Sequence, residues 1–264
     1  MHRFRGVGLV LGAALLAVLS ACSSGSPAGS SAVSSPPVSV LAASTVGTTF
    51  DKAISPTVDA MAFVNQDGHT VTLDSLKGQT VVLTDFLTLC QDMCPLLTGN
   101  FEQIAHKVNM AGASAKITLL EVTVDPGRDT PARLKAYSTA LGAPVNWQFW
   151  TGTPANIAAL WKEMGVSYQK VGEDAGAVAV DWWTGKRLTY DVSHQDVVFV
   201  LGADGHEKWL TQGNPNLRGG PVPAFLAHFL SAEGRADRAS PGPGSWTSSD
   251  VTTALTSVTG KKIG

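Results

Sequence analysis

The sequence predicts an α/β fold with a central, mostly parallel sheet flanked by helices. Apolar runs that suit buried strands occupy residues 80–86 and 116–124, and each is followed by a helical segment that begins near a proline. Strands that alternate with helices favour parallel pairing. The 264 residues, 44% of them hydrophobic, are enough for one well-buried domain with tails.

The first 21 residues are predicted to be a lipoprotein signal peptide. Arg3 and Arg5 give a basic start, and residues 6–19 form an apolar run too short for a comfortable transmembrane span. Small residues then precede Cys22, as in the bacterial lipobox, so we expect lipidation of Cys22 rather than an ordinary secretory signal with an incidental cysteine. The protein is therefore expected on the extracytoplasmic face of the bacterial cell membrane, anchored by acyl chains.

Residues 22–53 are predicted to comprise the lipidated cysteine and a flexible tether. Residues 23–49 are rich in Ser, Pro, Ala and Gly and carry no charge, which is typical of a linker. The folded domain is expected over residues 54–264.

The folded domain is predicted to begin with an N-terminal β-hairpin and a buried strand. Residues 60–64 and 70–73 flank the turn signal Asn65-Gln66-Asp67-Gly68. The apolar run at 80–86 suits a central strand covered on both faces. Pro95 lies early in the next helix, which is expected to end near residue 110.

The remaining elements alternate between strands and helices. Thr130 and Thr153 each precede a proline, a pattern typical of a capped helix start. The loop at 172–183 carries Trp182 and Trp183, for which packing is preferred over a docking role. The predicted strands are 116–124, 145–150, 168–171, 188–192, 196–201 and 207–210, and the predicted helices are 131–140, 154–165, 223–232 and 249–258.

Charge and cysteine content narrow the class of function. A net charge of −2 and a pI near 6.3 give no footprint for nucleic-acid binding. Of three cysteines, the predicted anchor takes Cys22, so any intramolecular disulfide must join Cys90 and Cys94. Outside the cytoplasm such thiols become oxidised unless they are kept reduced or bind a metal.

Cys90 and Cys94 are separated by four positions where a strand gives way to a helix. Residues i and i+4 of a helix share one face, so both sulfurs are expected to reach the same ligand or each other. A helix N-terminus also favours the thiolate. Metal binding, a redox disulfide or both remain open, with a plain stabilising disulfide as the structural alternative.

Three blocks occur in the order of a known family. They are Phe86-Leu87-Thr88-Leu89-Cys90-Gln91-Asp92-Met93-Cys94-Pro95, Thr123-Val124-Asp125-Pro126-Gly127-Arg128-Asp129-Thr130, and Tyr190-Asp191-Val192-Ser193-His194 with the strand and Asp204-Gly205 that follow. Together they resemble the Sco/SenC family of thioredoxin-like copper proteins, and the hairpin turn at 65–68 is a weaker fourth match. The resemblance covers residues 54–210, while residues 211–264 add C-terminal helices without a motif.

The resemblance implies that Cys90, Cys94 and His194 bind copper and that the two cysteines also form a redox disulfide. Two thiolates and one imidazole make a soft site suited to Cu(I), with Cu(II) as the other oxidation state considered. Structural zinc usually has four protein ligands, and the sequence offers no evident fourth.

The sequence departs from the family pattern beside these ligands. Gln91 stands where proline usually follows the first cysteine, and Ser193 stands where aspartate usually precedes the histidine. Gln195 replaces the usual hydroxyl residue. Because neighbours of the ligands orient the imidazole and tune affinity, these positions are expected to affect copper binding.

The second block is expected to have a supporting role. An Asp-Pro turn followed by an arginine between carboxylates would brace a loop beside the site through charge-assisted hydrogen bonds. Asp125, Arg128 and Asp129 are therefore interpreted as structural, and no catalytic residue is assigned.

By resemblance, the protein is a membrane-anchored copper chaperone that delivers copper to the binuclear site on cytochrome c oxidase subunit II, or to another cuproenzyme. A copper-donor protein and a thiol reductant are the further partners implied. The alternative is a thiol–disulfide oxidoreductase that keeps the copper-ligand cysteines of the oxidase reduced, so whether the chain is an enzyme stays open. A peroxidase, with Thr88 near the cysteine, and a purely structural lipoprotein are weaker hypotheses.

Overall fold

The computed structural model describes residues 46–173 and 179–264. The predicted signal peptide, Cys22 and most of the predicted tether lie outside the described residues. The strands are β1 (Thr48–Lys52), β2 (Phe63–Asn65), β3 (Thr70–Val71), β4 (Thr80–Phe86), β5 (Ile117–Thr123), β6 (Trp147–Thr151), β7 (Tyr168–Val171), β8 (Asp191–His194), β9 (Val197–Leu201) and β10 (Glu207–Gln212). The α-helices are α1 (Pro56–Asp59), α2 (Cys94–Met110), α3 (Pro131–Leu141), α4 (Pro154–Glu163), α5 (Ala224–Ala227), α6 (Ala232–Ala239) and α7 (Ser248–Thr259), and Leu73–Leu76 form one 3-10 turn.

Eight strands form one sheet in the order β1-β10-β9-β4-β5-β6-β2-β3, and β7 pairs with β8 in a separate ribbon. The α/β class with a central sheet and flanking helices is confirmed, as is the antiparallel β2–β3 hairpin. Parallel pairing joins only β4 with β5 and β5 with β6, and the other pairs in the sheet are antiparallel. The sheet is therefore mixed rather than mostly parallel, with two parallel and five antiparallel strand pairs.

The core lies against β4 and β5, whose residues are all buried. Helices α2 and α7 pack on each other and on these central strands. Four of the seven tryptophans are fully buried, in agreement with a packing role: Trp147, Trp150, Trp161 and Trp246. No helix in the described part of the chain is long and apolar enough to cross a bilayer.

The helix caps follow the local sequence. The side chains of Thr130 and Thr153 accept hydrogen bonds from the backbone N–H groups of Arg133 and Asn156, as expected for capped starts. The predicted helix at 223–232 is instead two helices, α5 and α6, because Ser231 begins a new helix by accepting from the Gly234 N–H at 2.9 Å.

The folded part begins before residue 54. Strand β1 pairs with β10 in antiparallel register, with a shift between Thr49 and Lys52. Residues 48–52 were predicted to belong to the tether. Their pairing with β10 joins positions far apart in the sequence, which leaves no local signal.

Candidate metal centre

Three elements bring the predicted ligands to one end of the sheet. Cys90 lies in the loop after β4, Cys94 is the first residue of α2, and His194 is the last residue of β8. The expectation that both cysteines lie on one helical face was wrong, because α2 begins only at Cys94. The prediction that His194 lies between two strands was also wrong, since β8 extends to include it.

The ligand atoms of Cys90, Cys94 and His194 all lie within 4.8 Å of one another. The Nε2 of His194 is 3.4 Å from the Cys94 Sγ. The Cys94 N–H donates to the Cys90 Sγ at 3.4 Å, and both thiols are free. The structure therefore brings together the three side chains that the sequence singled out.

The pKa values of the two thiols are shifted in opposite directions. A hydrogen bond from Cys94 holds the pKa of Cys90 well below its usual value, and burial raises the pKa of Cys94 well above it. The thiolate therefore forms first at Cys90. Burial would lower the pKa of His194, but hydrogen bonds with Asp85 and Cys90 outweigh it and raise that pKa.

Asp85 on β4 contacts the Nδ1 of His194, the outer ring nitrogen, which is the one that does not face the Cys94 Sγ. Its Oδ2 lies 2.6 Å from the Nδ1 of His194, and its Oδ1 accepts from the Val197 N–H at 3.1 Å. Sequence reasoning missed this residue. The available signal was a carboxylate inside an otherwise buried strand, where unpaired charges are rarely found.

The loop between the cysteines is held from two sides. The Gln91 Nε2 donates to the Val180 carbonyl at 2.7 Å, which ties the loop to the turn that carries the tryptophan pair. On the other side, the Ser231 N–H donates to the Gln91 carbonyl at 2.8 Å, and the Ser231 hydroxyl donates to the Asp92 carboxylate. The departure at Gln91 thus supplies a contact that a proline could not make.

The second block lies beside this site and is divided between two networks. Arg128 pairs with Asp125 and donates to the Tyr190 carbonyl at 2.7 Å, which links the block to the residues just before β8. Asp129 is not part of this pair. Its carboxylate accepts from the Thr88 N–H at 3.1 Å, from the Thr88 hydroxyl and from the Thr123 hydroxyl at 2.6 Å.

A cleft of about 800 Å³ opens beside Cys90 and His194. Among the described residues that line it none is Lys or Arg, whereas six carry carboxylates: Asp92, Glu173, Asp191, Asp196, Glu233 and Asp237. Burial raises the pKa of Asp191 to about 6, with the Cys90 charge adding to the effect. Six carboxyl groups therefore line the cleft that opens at the cysteine pair.

The tryptophan pair divides between packing and exposure. Trp182 packs edge-on against Tyr137 and Phe225, at centroid distances of 5.7 and 5.3 Å. Trp183 stacks on Trp182 at 6.3 Å, and its side chain stays 47% exposed. Packing therefore accounts for the first tryptophan and only partly for the second.

A second group of metal-ligating side chains, Asp51, Asp204 and His206, lies on the surface. The ammonium of Lys208 bonds to Asp51 at 2.9 Å and to Asp204 at 2.7 Å. A cation of the chain already pairs with both carboxylates, so the group is an ion-pair network.

Comparison with known proteins points to one family. The chain is 31% identical over 155 residues to a SCO1 protein homolog of Bacillus subtilis, covering 56% of this chain and 69% of the relative. It is similar to the structure of Bradyrhizobium japonicum ScoI with copper bound, with 24% identity, a TM-score of 0.47, and coverage of 70% of this chain and 99% of the other. It is also similar to BsSco, a member of the Sco family of cytochrome c oxidase assembly proteins with a disulfide switch, with 22% identity, a TM-score of 0.45, and coverage of 72% and 98%. The family model for SCO1/SenC matches residues 52–216, which is more than half of the chain. The resemblance found in the sequence is confirmed, and the chain belongs to the SCO1/SenC family.

Proposed function

We propose that the protein is an extracytoplasmic copper chaperone that binds one copper ion at Cys90, Cys94 and His194. The observation that carries this proposal is the cluster of two sulfurs and one imidazole nitrogen within 4.8 Å of one another. This donor set matches Cu(I), which prefers thiolate and imidazole ligands and accepts low coordination numbers.

The donor set also disfavours zinc. A structural zinc site usually has four protein ligands, and no carboxylate of the described residues joins the group formed by the two cysteines and His194. Binding of copper would release the protons held on Cys94 and His194, so affinity is expected to rise with pH.

The finer parts of the proposal come from the family. Copper carried at this site would be delivered to the binuclear copper site of cytochrome c oxidase subunit II, or to another cuproenzyme. A lipid on Cys22 would hold the protein at the extracytoplasmic face of the membrane. Replacement of Cys22 by serine should release the protein from the membrane fraction, and retention there would contradict the anchor.

Copper titration tests the proposed site. We expect the reduced protein to take one Cu(I) in competition with a chelator of known affinity, and the Cys90→Ser, Cys94→Ser and His194→Ala variants to bind far more weakly. His106→Ala, which changes an exposed residue of α2, is the matched control and should bind normally. Equal binding by all variants would show that the site is misassigned.

A transfer assay tests delivery. The copper-loaded protein would be mixed with the metal-free soluble domain of an oxidase subunit II, and the absorption of the binuclear centre would be followed. Growth of that absorption only with loaded protein supports the proposal. A rate equal to that with free copper would contradict a chaperone role.

A second candidate function, thiol–disulfide exchange, is favoured by the unequal thiols. Cys90 is partly exposed and has the lowered pKa, whereas Cys94 is buried. The Cys90 thiolate would attack a substrate disulfide, and Cys94 would then displace the substrate sulfur. The substrate gains two electrons and two protons as two thiols, while Cys90 and Cys94 form a disulfide that an external thiol reductant must reduce.

The reduction potential separates the two candidates. A potential far below that of extracellular reductants would make turnover implausible and leave copper binding as the function. Reduction of the subunit II cysteines by the metal-free protein, lost in Cys90→Ser, would support exchange.

A further inference from the structure

We propose that Asp85 is the residue that positions the His194 imidazole for metal binding. The inference rests on the proposed function, since it assigns a role within the same site. It depends on the position of Asp85 in the sheet, on its two hydrogen bonds and on the direction of the Ser193 side chain.

Asp85 occupies a costly position for a carboxylate. It lies in β4, between β9 and β5 in the middle of the eight-stranded sheet, and its side chain is fully buried. A buried charge destabilises the fold unless it is paired and hydrogen-bonded. Both of its oxygens are bonded, and both partners belong to the segment that holds the histidine.

The two hydrogen bonds of Asp85 hold both the backbone at Val197 and the imidazole ring of His194. Oδ1 accepts from the Val197 N–H at 3.1 Å, and Oδ2 lies 2.6 Å from the Nδ1 of His194. A carboxylate only accepts, so Nδ1 must carry the proton of this bond. In the neutral ring the other nitrogen, Nε2, then keeps its lone pair, and it faces the Cys94 Sγ at 3.4 Å.

Residue 193 cannot take this role in the present chain. Ser193 is exposed and pairs with Gln169 in the β7–β8 ribbon. Neighbouring side chains on a strand point to opposite faces, so the side chain of Ser193 points away from the face that holds His194. The carboxylate that supports the imidazole therefore comes from another strand.

Asp85 acts through the histidine rather than as a ligand. The group of ligand atoms within 4.8 Å contains the two cysteines and His194 but not Asp85. A carboxylate that accepts from the outer nitrogen of a metal-bound histidine fixes its orientation and raises its basicity, and loss of such a partner typically weakens affinity by about 10–100-fold.

Asp85→Asn is the sharpest test, because it keeps the shape of the side chain. An amide offers one accepting oxygen and one donating NH₂, whereas both present partners of Asp85 donate. If the oxygen stays on Val197, the NH₂ faces Nδ1 and moves the ring proton to Nε2. We expect Cu(I) affinity to fall by about 10–100-fold, with the variant still folded by circular dichroism.

Asp196→Asn is the matched control. Asp196 also lies beside the ring but influences His194 through its charge alone. A smaller loss of affinity in this control supports positioning by the Asp85 hydrogen bond. An equal loss in both variants would show that only negative charge matters, and normal affinity in folded Asp85→Asn would also overturn the proposal.

The position of the ring proton gives a second readout. Nitrogen NMR of the metal-free protein, at a pH where the ring is neutral, should place the proton on Nδ1 in the native protein and shift it towards Nε2 in Asp85→Asn. A proton on Nε2 in the native protein would overturn the inference even if the variant does not fold. If the native protein binds no copper, the proposed function fails, while this measurement still decides the role of Asp85.

Discussion

Two buried carboxylates on neighbouring strands differ in how many of their oxygens are hydrogen-bonded. Asp85 on β4 uses both oxygens, whereas Glu121 on β5 accepts from the Trp147 indole at 2.9 Å with one oxygen, and its other oxygen has no partner among the described residues. Burial raises the pKa of Glu121 to about 8. Glu121 is therefore a source of pH-dependent stability away from the metal centre.

The direction in which stability changes with pH follows from the pKa of Glu121 in the folded and unfolded protein. Its pKa is about 8 in the fold against an ordinary 4.5, so folding takes up a proton between these pH values. Below pH 4.5 the protonated Glu121 makes its full contribution to the free energy of unfolding. This contribution is lost as the pH rises through 8. The loss is on the order of 3–5 kcal/mol.

Glu121→Gln should remove most of this pH dependence. The amide oxygen can keep the indole bond, and no charge has to be buried. Urea unfolding at pH 5 and pH 9 should show a steep loss of stability for the native protein and a much smaller one for the variant. Glu102→Gln, on the exposed face of α2, is the control and should follow the native curve; a parallel loss in Glu121→Gln would refute the assignment.

At the residue scale, the sequence predicts the proposed ligands but not the residue that supports His194. Cys90, Cys94 and His194 lie in short blocks whose order is informative. Asp85 lies in an apolar run, and its role depends on the pairing of β4 with β9, which places Thr84 opposite Val198. Such a pairing between distant segments leaves no local pattern.

At the scale of elements, the start of α6 is coupled to the cysteine loop. Ser231 caps the helix through the Gly234 N–H at 2.9 Å and also contacts Asp92. The predicted single helix at 223–232 missed this break, because its apolar pattern runs through the positions where the cap forms.

Ser231→Ala should affect both stability and thiol reactivity. Loss of a helix cap costs about 1 kcal/mol, and loss of the Asp92 contact should loosen the loop between the cysteines. We expect a lower free energy of unfolding and faster reaction of Cys90 with a thiol reagent. Thr153→Ala removes the cap of α4 instead, and should cost similar stability without changing the thiol rate; equal rates in both variants would argue against the coupling.

Gln91 joins the same loop to the turn that carries Trp183. Within that turn the Asp181 N–H donates to the Lys186 carbonyl at 2.8 Å, so its order can be followed by hydrogen exchange. Gln91→Ala removes the bond to Val180, and we expect faster exchange at Asp181 with little change in α3. Unchanged exchange would mean that the other contacts of the turn, the Arg133–Asp181 ion pair and the packing of Trp182, are enough to hold it.

At the scale of the whole molecule, negative charge is concentrated at the metal centre although the net charge is only −2. The cleft beside Cys90 has carboxylates on its walls, and the part of the chain that the structure describes contributes no Lys or Arg to it. A concave site with one sign of charge concentrates field lines and accelerates the arrival of oppositely charged ligands.

Removing the charges of Glu233 and Asp237, which form the α6 wall of the cleft, should slow the binding of copper. The double variant Glu233→Gln/Asp237→Asn leaves the proposed ligands intact, and we expect the association rate of hydrated Cu²⁺ to fall about 3- to 10-fold at low salt. Stopped-flow mixing at several salt concentrations would measure it. Glu102→Gln should have no effect, and an unchanged salt dependence in the double variant would exclude steering by this wall.

Most of the architecture was accessible from sequence, and the part that was not is topological. The caps at Thr130 and Thr153 and the buried runs at β4 and β5 are local signals, and they were read correctly. The direction of β9 and the pairing of β1 with the edge of the sheet depend on which strands meet after the chain folds. The periodicity of residues within one segment does not encode such pairings.

The ends of the eight-stranded sheet bear on how the protein behaves when crowded. An exposed strand edge can pair with another chain, and short, charged or irregular edges discourage that association. One edge is β1, a charged strand with a register shift near Lys52, and the other is the two-residue strand β3. Neither offers a long, flat backbone template, so copies of the protein at high concentration would resist aggregation through their sheets.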